Sequence, residues 1–111
     1  MFFKTANVSE VSVERVKQAI DTHEHCIIVD VRTVGEYQRG HIAGSVNIPL
    51  DQIDASTMTA YQDKTIPVYA YCLSGSRSIE AVQKLSALGY TAVNSMSHGV
   101  LAWRIKQFPL E

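Results

Sequence analysis

The stretch Cys26-Ile27-Ile28-Val29-Asp30-Val31 constrains the fold more than any other part of the chain. It is short, almost wholly apolar and rich in β-branched residues, the pattern of a strand buried on both faces. Strands of that kind belong to parallel sheets whose two faces are covered by helices. Ile66-Pro67-Val68-Tyr69-Ala70-Tyr71 reads the same way, with Pro67 near the start of the strand, where a missing N–H is tolerated.

Helical patterns alternate with these runs. Ser12 precedes Val13, Val16, Ala19 and Ile20 at helical spacing, and the segment from Asp21 to His25 is polar. Thr33 with Glu36 makes a capping box, which predicts a short helix from Thr33 to Gln38 that stops at Gly40, followed by the turn His41-Ile42-Ala43-Gly44. Ser45 to Pro49 reads as a short strand, and Leu50 to Asp63 has helix-compatible spacing without strong boundary signals. Ser76 or Ser78 can cap a helix that turns Ile79, Val82, Leu85 and Leu88 inward, with Gly89 at its C′ position. Thr91-Ala92-Val93-Asn94 is the next strand, Gly99 to Lys106 the last short helix, and a polar tail follows Pro109. Alternation of this kind predicts an α/β domain around a mainly parallel sheet. Val100, Trp103 and Phe108 either form an exposed patch for a partner or, for Trp103, pack against the sheet.

The chain has 111 residues, the size of one domain. With 46% apolar and 19% charged residues it should bury a real core. Ten Lys and Arg against eleven Asp and Glu leave a net charge of -1, with no basic footprint for nucleic acid or an anionic membrane. Met1 to Lys4 lacks the apolar stretch of a signal peptide, and no run approaches a membrane span. The expectation is a cytoplasmic protein with reduced thiols. Its two cysteines, Cys26 and Cys72, then raise the question of which thiol reacts.

Cys72 stands where a strand ends and a helix begins, in Cys72-Leu73-Ser74-Gly75-Ser76-Arg77-Ser78. Backbone N–H groups at a helix start lack helical partners and can converge on the sulfur. Gly75 lets the loop curl, the serines offer hydroxyls, and Arg77 supplies a permanent charge. Such a nest favours an anion at its centre and lowers a thiol's pKa, so Cys72 is expected to be a thiolate nucleophile. Cys26 opens the most apolar strand with no glycine-rich loop after it and reads as buried and inert. His23-Glu24-His25-Cys26 does not read as a metal site, because neighbouring side chains of an extended chain alternate in direction and no second ligand pair is visible. His41 and His98 are available as bases, but His41 lies in a turn and His98 at a helix entrance, and the nest needs neither.

These motifs together resemble the rhodanese family of sulfurtransferases. Asp30-Val31-Arg32, Glu36-Tyr37, Gly40-His41-Ile42, Gly44-Ser45 and Asn47-Ile48-Pro49 look like its upstream signature, and the segment from Cys72 to Ser78 resembles its active-site loop. The resemblance implies a three-layer α/β domain over residues 1–111, with a core at about 11–106 and a central sheet flanked by helices. It implies that Cys72 takes a sulfane sulfur from thiosulfate, polysulfide or a persulfide and passes it to a thiol, cyanide or a protein of a sulfur relay. Leu73, Ser74, Gly75, Ser76, Arg77 and Ser78 would bind the substrate, with no metal or organic cofactor needed. Asp30, Arg32, Glu36, Tyr37 and His41 would hold the surrounding loops.

Two other readings stand beside this one. Phosphatase and arsenate-reductase relatives have a loop one residue longer than the four residues between Cys72 and Arg77. A non-catalytic binding module would be expected to lack the cysteine. Two departures from the family pattern bear on substrate. Leu73 stands where thiosulfate-preferring members often carry a cation, and His98-Gly99 replaces the usual Gly-Gly before the final helix.

Overall fold

The computed structural model describes residues 8–111, so Met1 to Lys4 lies outside the described residues. Its centre is a five-stranded sheet in the order β1-β5-β4-β2-β3, with every pairing parallel. The strands are β1 (Glu10–Val11), β2 (Ile27–Asp30), β3 (Val46–Asn47), β4 (Val68–Tyr71) and β5 (Val93–Met96). The helices are α1 (Val13–Asp21), α2 (Val34–Gln38), α3 (Ser76–Ala87) and α4 (Gly99–Ile105). Among the described residues no helix is long and apolar enough to cross a membrane.

Every residue of β2 and β4 is buried, as their composition predicts. The two-residue period of a strand divides the core between the faces. Val68, Ala70 and Cys72 share one apolar cluster with Ile27, Val29 and with Val82 and Leu85 of α3. Tyr69 and Tyr71 point the other way, into a cluster with Val13 and Val16 of α1 and Val100 and Trp103 of α4. Trp103 is thus a core residue. Its Nε1–H donates to Pro109 O at 2.9 Å, and Phe108 meets its ring edge-on at 5.1 Å, so the tail folds back on the body. Glu111 completes this return through two backbone hydrogen bonds with His41.

Four elements differ from the sequence reading. β1 was not anticipated; it exists through its register with Ser95 and Met96 of β5. The segment after Pro49 forms only one 3-10 turn, Leu50–Gln52, before a series of turns. There the Asp54 carboxylate accepts from Ser56 Oγ at 2.6 Å and from Thr57 N–H at 2.9 Å, the local bonding by which such side chains displace helix. Helix α3 is capped by Gly75 rather than by Ser76 or Ser78, with no side-chain cap. β5 begins two residues later than Thr91. Cys26 precedes β2 and is half-buried rather than buried, packed at the margin of the core.

After β2 the chain places β3 on one side and β4 on the other. The sheet order therefore reverses between β2 and β4, and in open parallel sheets the crevice beyond the strand ends at such a point is where ligands bind. Cys72 directly follows β4 at that end.

Candidate active site

Cys72 has no exposed surface. The loop that covers it turns sharply at Gly75, whose φ of 115° is one that residues with a Cβ rarely adopt. That conformation brings the Gly75 N–H to 3.0 Å from Cys72 Sγ. The Ser78 hydroxyl lies 3.7 Å from the same sulfur and also bonds Gly75 O at 3.0 Å. The Gly75 N–H thus donates to the sulfur, while the Ser78 hydroxyl, in the first turn of α3, accepts from the thiol; a backbone donor aimed at the sulfur in this way stabilises a negative charge there.

The other loop residues take different positions. Leu73, Ser74 and Ser76 are exposed at the mouth. Arg77 does not turn its charge freely toward the sulfur. Its Nη1 and Nη2 donate to Glu36 Oε1 and Oε2 of α2 at 2.7 and 3.0 Å. This pairing, together with the Thr33 N–H and hydroxyl, pushes the Glu36 carboxyl down to about 2. The guanidinium is a brace between α3 and α2, and its permanent charge is matched by Glu36.

A buried polar frame holds the surrounding loops. Asp30 and Arg32 pair at 2.7 Å, and the same Arg32 nitrogen donates to Gly40 O at 2.7 Å. Asn47 Nδ2 donates to the carbonyls of Asp30 and Arg32. Tyr71 O–H meets Ser45 Oγ at 3.0 Å and accepts from Ile42 N–H at 3.1 Å. His41 stacks on Tyr37 with ring centroids 3.7 Å apart and places Nδ1 2.9 Å from Tyr37 O. His41 is thus occupied in the turn and stands apart from the sulfur.

A second wall comes from the start of α4. The Val100 and Leu101 N–H groups donate to Cys72 O and Leu73 O at 3.0 and 3.1 Å. Any Cβ on Gly99 would collide with those same carbonyl oxygens. His98, beside it, is exposed with a φ of 65°, and its backbone N would lie 3.3 Å from a Cβ on Gly75. No group of three or more His, Cys, Asp or Glu comes together among the described residues; Glu24 of the His23-Glu24-His25-Cys26 run is instead bonded to Arg15 and Tyr69. Burial pushes the Cys26 thiol up, which favours its protonated, unreactive form.

The Rhodanese-like domain family model matches residues 12–106. The chain belongs to the rhodanese-like domain family. A relative from Bacillus subtilis (strain 168), named a putative sulfur carrier protein YrkF, is 33% identical over 88% of this chain and 52% of its own length. Thiosulfate sulfurtransferase PspE of Escherichia coli (strain K12) is 40% identical over 60% of this chain and 64% of its own. This chain therefore spans about half to two thirds of the length of these two relatives. The crystal structure of a thiosulfate sulfurtransferase from Pseudomonas aeruginosa superimposes with a TM-score of 0.85 at 25% identity, over 94% of this chain and 20% of that one.

Sequence reasoning about this rhodanese domain missed three residues around Cys72. Glu36 was read as a loop-holding residue, not as the partner of Arg77, which lies 41 positions away. Gly99 reads only as the start of the last helix, with His98 as the departure beside it. Ser95 was not singled out, although a serine in a central strand is a signal in itself, since burying a hydroxyl is unfavourable unless a partner is provided.

Proposed function

We propose that this rhodanese domain is a sulfurtransferase in which Cys72 carries the sulfur as a persulfide. The observation that supports this best is the Gly75 N–H held 3.0 Å from Cys72 Sγ at the end of β4. A thiolate at that position attacks the outer sulfur of thiosulfate; a new S–S bond forms and sulfite leaves with the electron pair of the old one. The product is Cys72–S–S⁻, whose terminal charge the loop donors are placed to stabilise. Cyanide or a thiolate then attacks the terminal sulfur, and the Cys72 thiolate is released. Leu73, Ser74, Gly75, Ser76 and Ser78 form the substrate pocket, and Arg77 positions it through Glu36.

Leu73 and the paired Arg77 leave no unmatched cation in this loop. A protein persulfide, with at most one charge on its sulfur chain, suits that mouth better than the dianion thiosulfate, and a thiol of a sulfur-relay protein suits it as acceptor. A cytoplasmic setting, where thiols stay reduced, fits this chemistry. The core at about 11–106 would act as one unit. The test is thiocyanate formation from each donor and cyanide, with Cys72→Ser as control. Turnover that vanishes in Cys72→Ser supports the reading; hydrolysis of an aryl phosphate in place of sulfur transfer would favour the phosphatase alternative.

A further inference from the structure

Behind Cys72 lies a chain of two hydroxyls, the second of which, on Ser95, has no part in the reaction as written. Ser78 and Ser95 are both fully buried, and their Oγ atoms are 2.7 Å apart. Ser95 sits in β5 between two strands, with register partners Ala70 in β4 and Glu10 in β1. On this face of the sheet its neighbours Val93, Ala70 and Val82 are apolar. Packing alone calls for a Val-like residue there, and a lone hydroxyl would be unfavourable. Its partner is Ser78, whose hydroxyl lies 3.7 Å from the Cys72 sulfur.

We infer that Ser95 is a positioning residue whose hydroxyl holds Ser78 ready to donate to the ionised sulfur of Cys72. The proton count supports this. With Cys72 as a thiol, S–H donates to Ser78 Oγ, and Ser78 O–H donates to Gly75 O. When the thiol proton leaves to solvent, the Ser78 proton swings from Gly75 O to the sulfur. Gly75 O keeps a donor, because the Ile79 N–H lies 3.4 Å from it. Ser78 Oγ keeps one too, provided that Ser95 is the donor of their shared bond. Ser95 is therefore the donor in both states, and a donated bond into a hydroxyl strengthens the bond that hydroxyl gives. Ionisation at Cys72 thus leaves no buried polar group without a partner.

This inference rests on Cys72 as the reactive thiol, but its test does not require sulfur transfer. The charged and titratable groups around the loop include Arg77 with Glu36, Glu80 and Lys84 farther along α3, Asp51 across the crevice, the Asp30–Arg32 pair at the end of β2, and His98 at the start of α4, and none of them is altered in the variants. The rate of Cys72 alkylation by iodoacetamide is followed from about pH 5 to about pH 10 in a Cys26→Ser background. Ser78→Ala is expected to lower the rate about tenfold at the acid end and Ser95→Ala about threefold, with both converging on the parent at high pH. Ser95→Thr, which keeps the hydroxyl, is expected to restore the profile. Profiles that coincide with the parent, or a loss of equal size at every pH, would overturn the inference. Failure of the sulfurtransferase reading looks different: Cys72 alkylates with the shifted profiles but takes up no sulfur.

Discussion

Arg77 and Glu36 join across 41 positions in a two-pronged ion pair, at 2.7 and 3.0 Å, so the charge of the Cys72–Ser78 segment is matched within the fold. The pair ties the first turn of α3, next to the thiol, to α2, which is itself fixed by the Thr33 capping box. Loop shape and loop charge are therefore set by the same contact.

Glu36→Gln should weaken the fold by about 1 to 2 kcal/mol at neutral pH, since a partly exposed pair is screened. The carboxyl is held at about 2, below its ordinary 4.5. Its contribution is thus complete above the unfolded value and fades as pH falls from about 4.5 toward about 2. Melting temperatures of the wild type and Glu36→Gln should differ by a constant amount above that window and draw together within it. A difference that grows toward acid pH would contradict the assignment.

Removing Asp30 should be far more damaging. The Asp30 side chain has no exposed surface and that of Arg32 only 4%, so Asp30→Asn strands a buried guanidinium. The expected loss is about 3 to 5 kcal/mol by denaturant titration. A loss below about 1 kcal/mol would mean that the frame relaxes around Arg32.

Gly99→Ala should disturb the site specifically. The added methyl meets the backbone of Cys72 and Leu73, which cannot give way as a flexible side chain would. The left-handed φ of 58° adds about 1 to 2 kcal/mol of strain. The variant should melt lower and lose alkylation of Cys72, measured in a Cys26→Ser background so that Cys72 alone is read. Unchanged Cys72 alkylation would show that α4 does not support the loop.

Leu73→Lys tests the reading of donor preference. A cation at this exposed position, with Arg77 held by Glu36, should raise kcat/KM for thiosulfate about tenfold at low salt, with the gain shrinking as ionic strength rises. Activity with a neutral organic persulfide should change little. Equal gains for both donors would show that the leucine acts through loop shape rather than charge.

Much of this architecture is legible in the chain because it is local. The burial of β2 and β4 follows from their apolar, β-branched composition, and the α2 capping box from two residues three apart. Cys72 at the end of β4 follows from a strand pattern abutting Gly75 and a helix. What stays hidden depends on distant partners. β1 is two residues long and exists only because β5 pairs with it. β5 is legible only as far as Asn94; its second half is disguised by Ser95, a polar residue in a central strand that is bonded to Ser78 behind the thiol. Arg77 looks like a free charge until Glu36 folds against it. The middle segment carries helical spacing, but its Ser, Thr and Asp side chains bond their own backbone instead.

Whether Cys72 carries sulfur is read by mass spectrometry of the Cys72 peptide after exposure to polysulfide, thiosulfate or a persulfide. The expected result is a gain of one sulfur atom on that peptide, removed by cyanide with release of thiocyanate, and absent in Cys72→Ser. No gain from any of the three donors, on a folded protein whose Cys72 still alkylates, would contradict it.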